Sequence, residues 1–121
     1  MIIKNSILSD VPQIFEFYRI ATSYMKTKNQ VYWPEFSKEL ILNEIDENRQ
    51  WKLLLNNQIT CIWATTEQDD LIWGNCENEP SVYIHRIAIH PDFRGQNFVK
   101  HIIDWANEYG KNKNLKYIRL D

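Results

Sequence analysis

Arg94-Gly95-Gln96 marks the junction where this chain passes from a strand-like to a helix-like pattern, and the junction has the make-up of an anion site. Upstream, Val82–Ile89 is dominated by β-branched and aromatic residues, interrupted by the charge of Arg86, and reads as a strand. His90-Pro91-Asp92 breaks it. Downstream, Phe98, Ile102, Trp105, Ala106 and Tyr109 recur at helical spacing, and the helix is expected to open at Arg94-Gly95-Gln96. The first amide N–H groups of a helix have no internal partner and point outward beside the positive end of the dipole. An anion, most often a phosphate, is favoured there. On the strand, His85 lies two residues from Tyr83, which puts both on one face. Imidazole exchanges protons near neutral pH. Arg86 is expected on the opposite face, paired with an acidic neighbour.

The elements that must position this junction follow from the rest of the chain. Met1–Leu8 reads as a first strand, and Ser9-Asp10 as the N-cap of a helix over Val11–Met25, with Pro12 in its first turn. Ile14, Phe15, Tyr18, Ala21 and Tyr24 or Met25 form its apolar face. Ser37 is expected to cap a second helix, Lys38–Asn48. Trp51–Leu55 and Ile59–Thr66 read as a hairpin around Asn56-Asn57-Gln58. An acidic loop, Glu67–Ser81, leads into the Val82–Ile89 strand. After the amphipathic helix, Gly110–Leu115 reads as a turn and Lys116–Asp121 as a final strand. The order β-α-α-β-β-β-α-β implies an α/β fold with a mixed sheet, antiparallel except for the last strand–helix–strand unit.

Composition narrows the classes. The chain has 121 residues, 44% of them apolar, and five Trp, six Tyr and five Phe, enough to build one domain with a real core. A net charge of −2 with scattered basic residues argues against a nucleic-acid surface. The N-terminus lacks a signal-peptide pattern and no apolar run reaches membrane-spanning length, so a cytoplasmic location is expected and no membrane partner. Cys61, in an apolar strand, reads as a buried core thiol, and Cys76 as an unpaired surface thiol. Neither has metal-ligand spacing, and a reducing compartment fits both.

The segment IAIHPDFRGQ resembles motif A of the GNAT N-acetyltransferases, which use acetyl-coenzyme A. The small apolar strand end is matched by Ile87-Ala88-Ile89, the turn by His90-Pro91-Asp92-Phe93, and the first position of the R/Q-x-x-G-x-G/A signature by Arg94. Asn97 and Val99 stand where the family has its glycine and its glycine or alanine. Both carry side chains that crowd a pyrophosphate more than glycine does, Asn97 less so because Asn tolerates unusual backbone angles. The opening strand–loop–helix is similar to the family's as well. The resemblance implies a GNAT-like acyl-CoA N-acyltransferase fold and a single domain over residues 1–121. It assigns the pantetheine arm to the backbone of Ile87, Ala88 and Ile89, and the pyrophosphate to Arg94, Gly95, Gln96, Asn97, Phe98 and Val99.

The implied reaction is attack of a neutral amine on the acetyl thioester, which needs a proton acceptor and oxyanion stabilisation. Some relatives place a carboxylate base at the position of Tyr83; here His85, on the same face, is the candidate base, against the alternative of a hydrogen-bonded strand histidine. Tyr24, Tyr32 and Trp33 lie where relatives form the acceptor pocket and offer cation–π contact to an amine, or else a satellite core. Trp73 could close over the site or merely pack. Glu67, Asp69, Asp70, Glu77 and Glu79 could attract a cationic acceptor, or be a solvated loop. No metal is implied. Against the family pattern the chain is truncated after the fifth strand, which leaves Lys116–Asp121 as an open edge and leads us to expect homo-oligomers through it. The functional alternatives are an acetyltransferase of a small-molecule or protein amine, a coenzyme A-binding module without turnover, and an inactive remnant.

Overall fold

The computed structural model describes residues 1–68 and 80–120. The expectations for Trp73, Cys76, Asp69, Asp70, Glu77 and Glu79 fall outside them. The elements are β1 (Ile2–Asn5), α1 (Val11–Thr27), α2 (Lys38–Asp46), β2 (Gln50–Leu55), β3 (Gln58–Gln68), β4 (Ser81–Ile89), α3 (Phe98–Asn112) and β5 (Tyr117–Leu120). Short 3-10 turns at Leu8–Asp10 and Pro91–Phe93 precede α1 and α3. The five strands form one sheet in the order β1-β2-β3-β4-β5. The first three pairings are antiparallel and β4–β5 is parallel, the mixed α/β architecture expected. No described helix is long and apolar enough to cross a membrane.

Local chemistry explains the joints. Asn56 and Asn57 both adopt positive φ, 52° and 64°, the signature of a two-residue type I′ turn whose twist matches the strands it joins. The Ser37 hydroxyl accepts from the Leu40 amide at 3.1 Å and so caps α2. At α1 the expected side-chain cap is absent. Asp10 accepts instead from the Ile7 amide at 2.8 Å and from Lys52 Nζ at 2.6 Å. Asp10 itself has helical backbone angles, φ −83° and ψ −11°, and does not take the extended conformation of an N-cap. The last helix starts at Phe98, later than Arg94, because Gly95 and Asn97 take positive φ and cannot continue a helix backwards.

The sheet is covered on both faces. Ile14, Phe17, Tyr18 and Ala21 of α1 and Ile41 of α2 pack on Ile59, Ile62 and Ala88. On the other face Phe98, Ile102 and Ala106 of α3 pack on Leu53, Cys61, Trp63 and Ile84. Cys61 is fully buried, as expected, and burial pushes its thiol up to about 11, which makes it inert at neutral pH.

Candidate active site

The strand–turn–helix junction was legible in the sequence, and its backbone is now explicit. After the Pro91–Phe93 turn, Arg94 is extended, Gly95 has φ +78° and Asn97 has φ +62°. Gly95 is glycine for a reason: side chains rarely tolerate that φ. Asn97 holds the left-handed conformation that glycine would otherwise supply, so the substitution keeps the backbone path. Val99 sits in the first helical turn, 36% exposed. The amides of Gly95, Gln96, Asn97, Phe98 and Val99 donate to no described acceptor; the first amide engaged is that of Lys100, with Asn97 O at 3.1 Å. Two side chains brace the turn: His90 Nδ1 accepts from the Asp92 amide at 3.1 Å, and Gln96 Nε2 donates to Asp92 O at 3.3 Å. A run of unengaged amides at the start of a fifteen-residue helix fits a pyrophosphate.

The Arg94 guanidinium lies 4.0 Å above the ring centroid of Tyr24. Tyr24 thus packs against the turn before α3 and does not line a cavity with Tyr32 and Trp33. Phe17, Ala21 and Tyr24 follow i, i+4, i+7 along one face of α1, and packing turns that face to the turn before α3, where Phe17 meets His90 at 6.0 Å. Tyr32 and Trp33 line a cavity of about 450 Å³ beside α1, together with Tyr18 and Phe36. Lys26 already sits 4.6 Å over the Tyr32 ring.

In β4 the side chains of Ile87 and Ile89 pack toward α3, and Ala88 toward α1. Pairing with β5 covers Ser81–Ile84, so along Ile87–Ile89 the β5 side carries no described strand. Tyr83 and His85 share a face as expected, their rings stacked at 6.0 Å with a 10° interplanar angle. His85 Nε2 is 2.7 Å from Thr66 Oγ1. Arg119, paired in register with Tyr83, lies 5.9 Å from its ring. Among the described residues no group of His, Cys, Asp or Glu could hold a metal ion.

Arg86 departs from expectation in one respect. It pairs with an acidic neighbour, Glu44, through both carboxylate oxygens. Yet it lies on the same face as His85. Ala64 faces His85 while Ile62 faces Ala88, so β4 carries one extra residue. That residue is Arg86 at φ +53°, which flips the alternation of the strand. A non-glycine residue there costs about 1–3 kcal/mol unless its surroundings hold it. Around it are Tyr18, whose hydroxyl accepts from Arg86 Nε at 3.3 Å, and Gln50, which donates to both Tyr18 and Glu44. Burial pushes the Tyr18 phenol up against the pull of Arg86. Sequence reading missed Glu44, Tyr18 and Gln50 as partners; the one available signal was a carboxylate, Glu44, on the inner side of α2.

A second cavity, of about 440 Å³, lies at the far end of α3. Its charges are already paired, Arg49 with Glu47 at 2.7 Å and Lys113 with Glu67 at 3.2 Å. It has no part in the junction.

Comparison with known proteins bears on this geometry. The chain is 34% identical over 58 residues to the uncharacterized N-acetyltransferase YesJ of Bacillus subtilis, a match over 48% of this chain and 32% of that protein. It therefore spans about a third of the curated relative it matches. Among solved structures, a GNAT-family acetyltransferase from Listeria monocytogenes has a TM-score of 0.83 at 17% identity, over 98% of this chain and 74% of that one. A predicted acetyltransferase from Clostridium acetobutylicum, solved with acetyl-CoA, has a TM-score of 0.70 at 18% identity, over 99% and 79%. At such identities these two show the shared fold. The model of the acetyltransferase (GNAT) family matches residues 16–121, the bulged strand and the turn before α3 included, and this chain belongs to that family.

Proposed function

We propose that this protein transfers an acetyl group from acetyl-CoA to a primary amine. The observation that carries the reading is the run of unengaged amides from Gly95 to Val99, shaped by two left-handed residues and opening a long helix. These amides and Arg94 hold the pyrophosphate, and the uncovered side of Ile87–Ile89 receives the pantetheine arm. The acceptor occupies the cavity beside Tyr32 and Trp33, whose lining includes Glu35 as a carboxylate for an ammonium. The neutral amine attacks the thioester carbonyl carbon and forms the C–N bond. His85, oriented by Thr66, takes the proton that the nitrogen loses. The tetrahedral intermediate then collapses, the C–S bond breaks, and coenzyme A leaves as the thiol after gaining a proton.

Calorimetry with acetyl-CoA, followed by a thiol-release assay over a panel of amines, tests this. Wild-type protein should bind, and Arg94→Ala should bind more weakly. His85→Ala should lower kcat by about 10²–10⁴-fold with little change in acetyl-CoA affinity. Binding without thiol release from any amine would favour a coenzyme A-binding module; no binding would refute the reading.

A further inference from the structure

The bulge in β4 is held from a distance. Arg86 is the only described residue inside a strand with positive φ, and it is an arginine, a residue that gains nothing from that conformation. Its guanidinium reaches across to α2, where both oxygens of Glu44 accept from Nη2. Glu44 is 3% exposed and Tyr18 is 4% exposed, so this is an anchor shielded from water. The guanidinium carbon also lies 4.9 Å over the Phe36 ring, in the segment leading to α2. Gln50 Nε2 donates to Glu44 Oε1 at 3.1 Å and to Tyr18 Oη at 3.2 Å, which fixes the carboxylate from a third element. Thus α1 and α2 contact the bulge residue directly, and β2 holds both of its partners.

We propose that the Glu44–Arg86 pair is a positioning device that holds the β4 bulge and thereby sets the backbone of Ile87–Ile89 for the pantetheine arm. The cofactor part of this rests on the acetyl-CoA reading above; the bulge part does not. Glu44 touches no reacting atom. It acts through Arg86, whose backbone is continuous with Ile87. The device couples the segment before α2, which borders the acceptor cavity through Phe36, to the strand that carries the donor. Removal of the carboxylate frees Arg86 to relax toward ordinary strand angles. That slips the register, because the residues beyond it exchange faces when the extra residue is absorbed.

The test uses Glu44→Gln, Arg86→Gly and the double variant Glu44→Gln/Arg86→Gly, each first checked for folding by its thermal transition. Glycine accepts positive φ without an anchor, so the double variant should restore what Glu44→Gln loses. Two readouts are taken: amide chemical shifts and hydrogen exchange of Ile87–Ile89 without ligand, and acetyl-CoA affinity by calorimetry. Glu44→Gln should shift and deprotect the Ile87–Ile89 amides and weaken acetyl-CoA binding by about tenfold. The double variant should recover both. A merely structural role for the pair would lower stability without this rescue. Folded Glu44→Gln with wild-type amide signals at Ile87–Ile89 would overturn the proposal. If Glu44→Gln does not fold, Glu44→Gln/Arg86→Met carries the test: with neither charge nor glycine it should lose the wild-type signals at Ile87–Ile89, and their retention overturns the idea. If wild-type protein binds no acetyl-CoA, the acetyl-CoA reading fails, while the amide signals still decide whether the pair holds the bulge.

Discussion

Asn97 shows how one side chain can replace another in type but not in backbone role. It stands where the family has glycine, in the turn before α3, with φ +62° and no side-chain cap. Asn97→Gly should therefore change stability by only a few tenths of a kcal/mol. Asn97→Ala should cost about 1 kcal/mol, because alanine cannot offset the left-handed strain, and lower the melting temperature by several degrees. Melting curves of the two variants check this. Cys61 gives a pH signature. Its folded thiol is pushed up to about 11, so on raising pH the unfolded chain loses this proton first. The unfolded state binds fewer protons there, and stability must fall as pH rises from about 9 to about 11, by about 3 kcal/mol in all. Below the ordinary thiol range the group has no effect. Urea midpoints compared between wild type and Cys61→Ala should diverge below that range by a constant and converge above it.

At the scale of elements, charged side chains tie helices to the sheet. Lys52 on β2 is 6% exposed and reaches Asp10 at the start of α1. A buried pair adds little net stability over an apolar pair, but breaking one side is costly. Asp10→Ala should lose about 3–5 kcal/mol, and Asp10→Ala/Lys52→Met should regain most of that loss. Denaturant titrations of the single and double variants measure both. The second such tie is Glu44–Arg86, and the two differ in consequence. Lys52–Asp10 fixes where a helix begins; Glu44–Arg86 fixes how a strand bends. Ser37, by contrast, caps α2 with a local bond and can be read from the chain without knowledge of the fold.

In the whole molecule one sheet carries two cores, α1 and α2 on one face and α3 on the other. Ile41 and Ile102 are each fully buried, on opposite faces. Both cores share the same strands, so neither can melt alone. Ile41→Val and Ile102→Val should each cost about 0.5–1.5 kcal/mol and add within about 0.5 kcal/mol in the double variant. Unfolding followed by tryptophan fluorescence and by circular dichroism should coincide in all of them. Trp51, Trp63 and Trp105 report mainly on the α3 side, so a transition seen by fluorescence alone would show that the two cores separate.

By itself the sequence determined the order of elements, the mixed sheet, the buried Cys61, the cap at Ser37 and the turn at Asn56-Asn57. Each depends on periodicity or on the preference of a short segment, which are local properties. It also marked the strand–turn–helix junction around Arg94, because strand, break and helix are contiguous there. Tertiary structure decided the rest. Arg86 changed faces because a bulge is a property of two strands in register, and no spacing within one strand reveals it. Tyr24 joined Arg94 instead of Tyr32 because the rotation of α1 about its axis is set by packing on the sheet. The Asp10 carboxylate, which does not cap α1, meets a lysine forty-two residues away that no local pattern names. In each case the deciding partner is remote in sequence and only the fold brings it near; at Lys52 and Arg86 the charge is also largely buried, where leaving it unpaired costs more than a local preference returns.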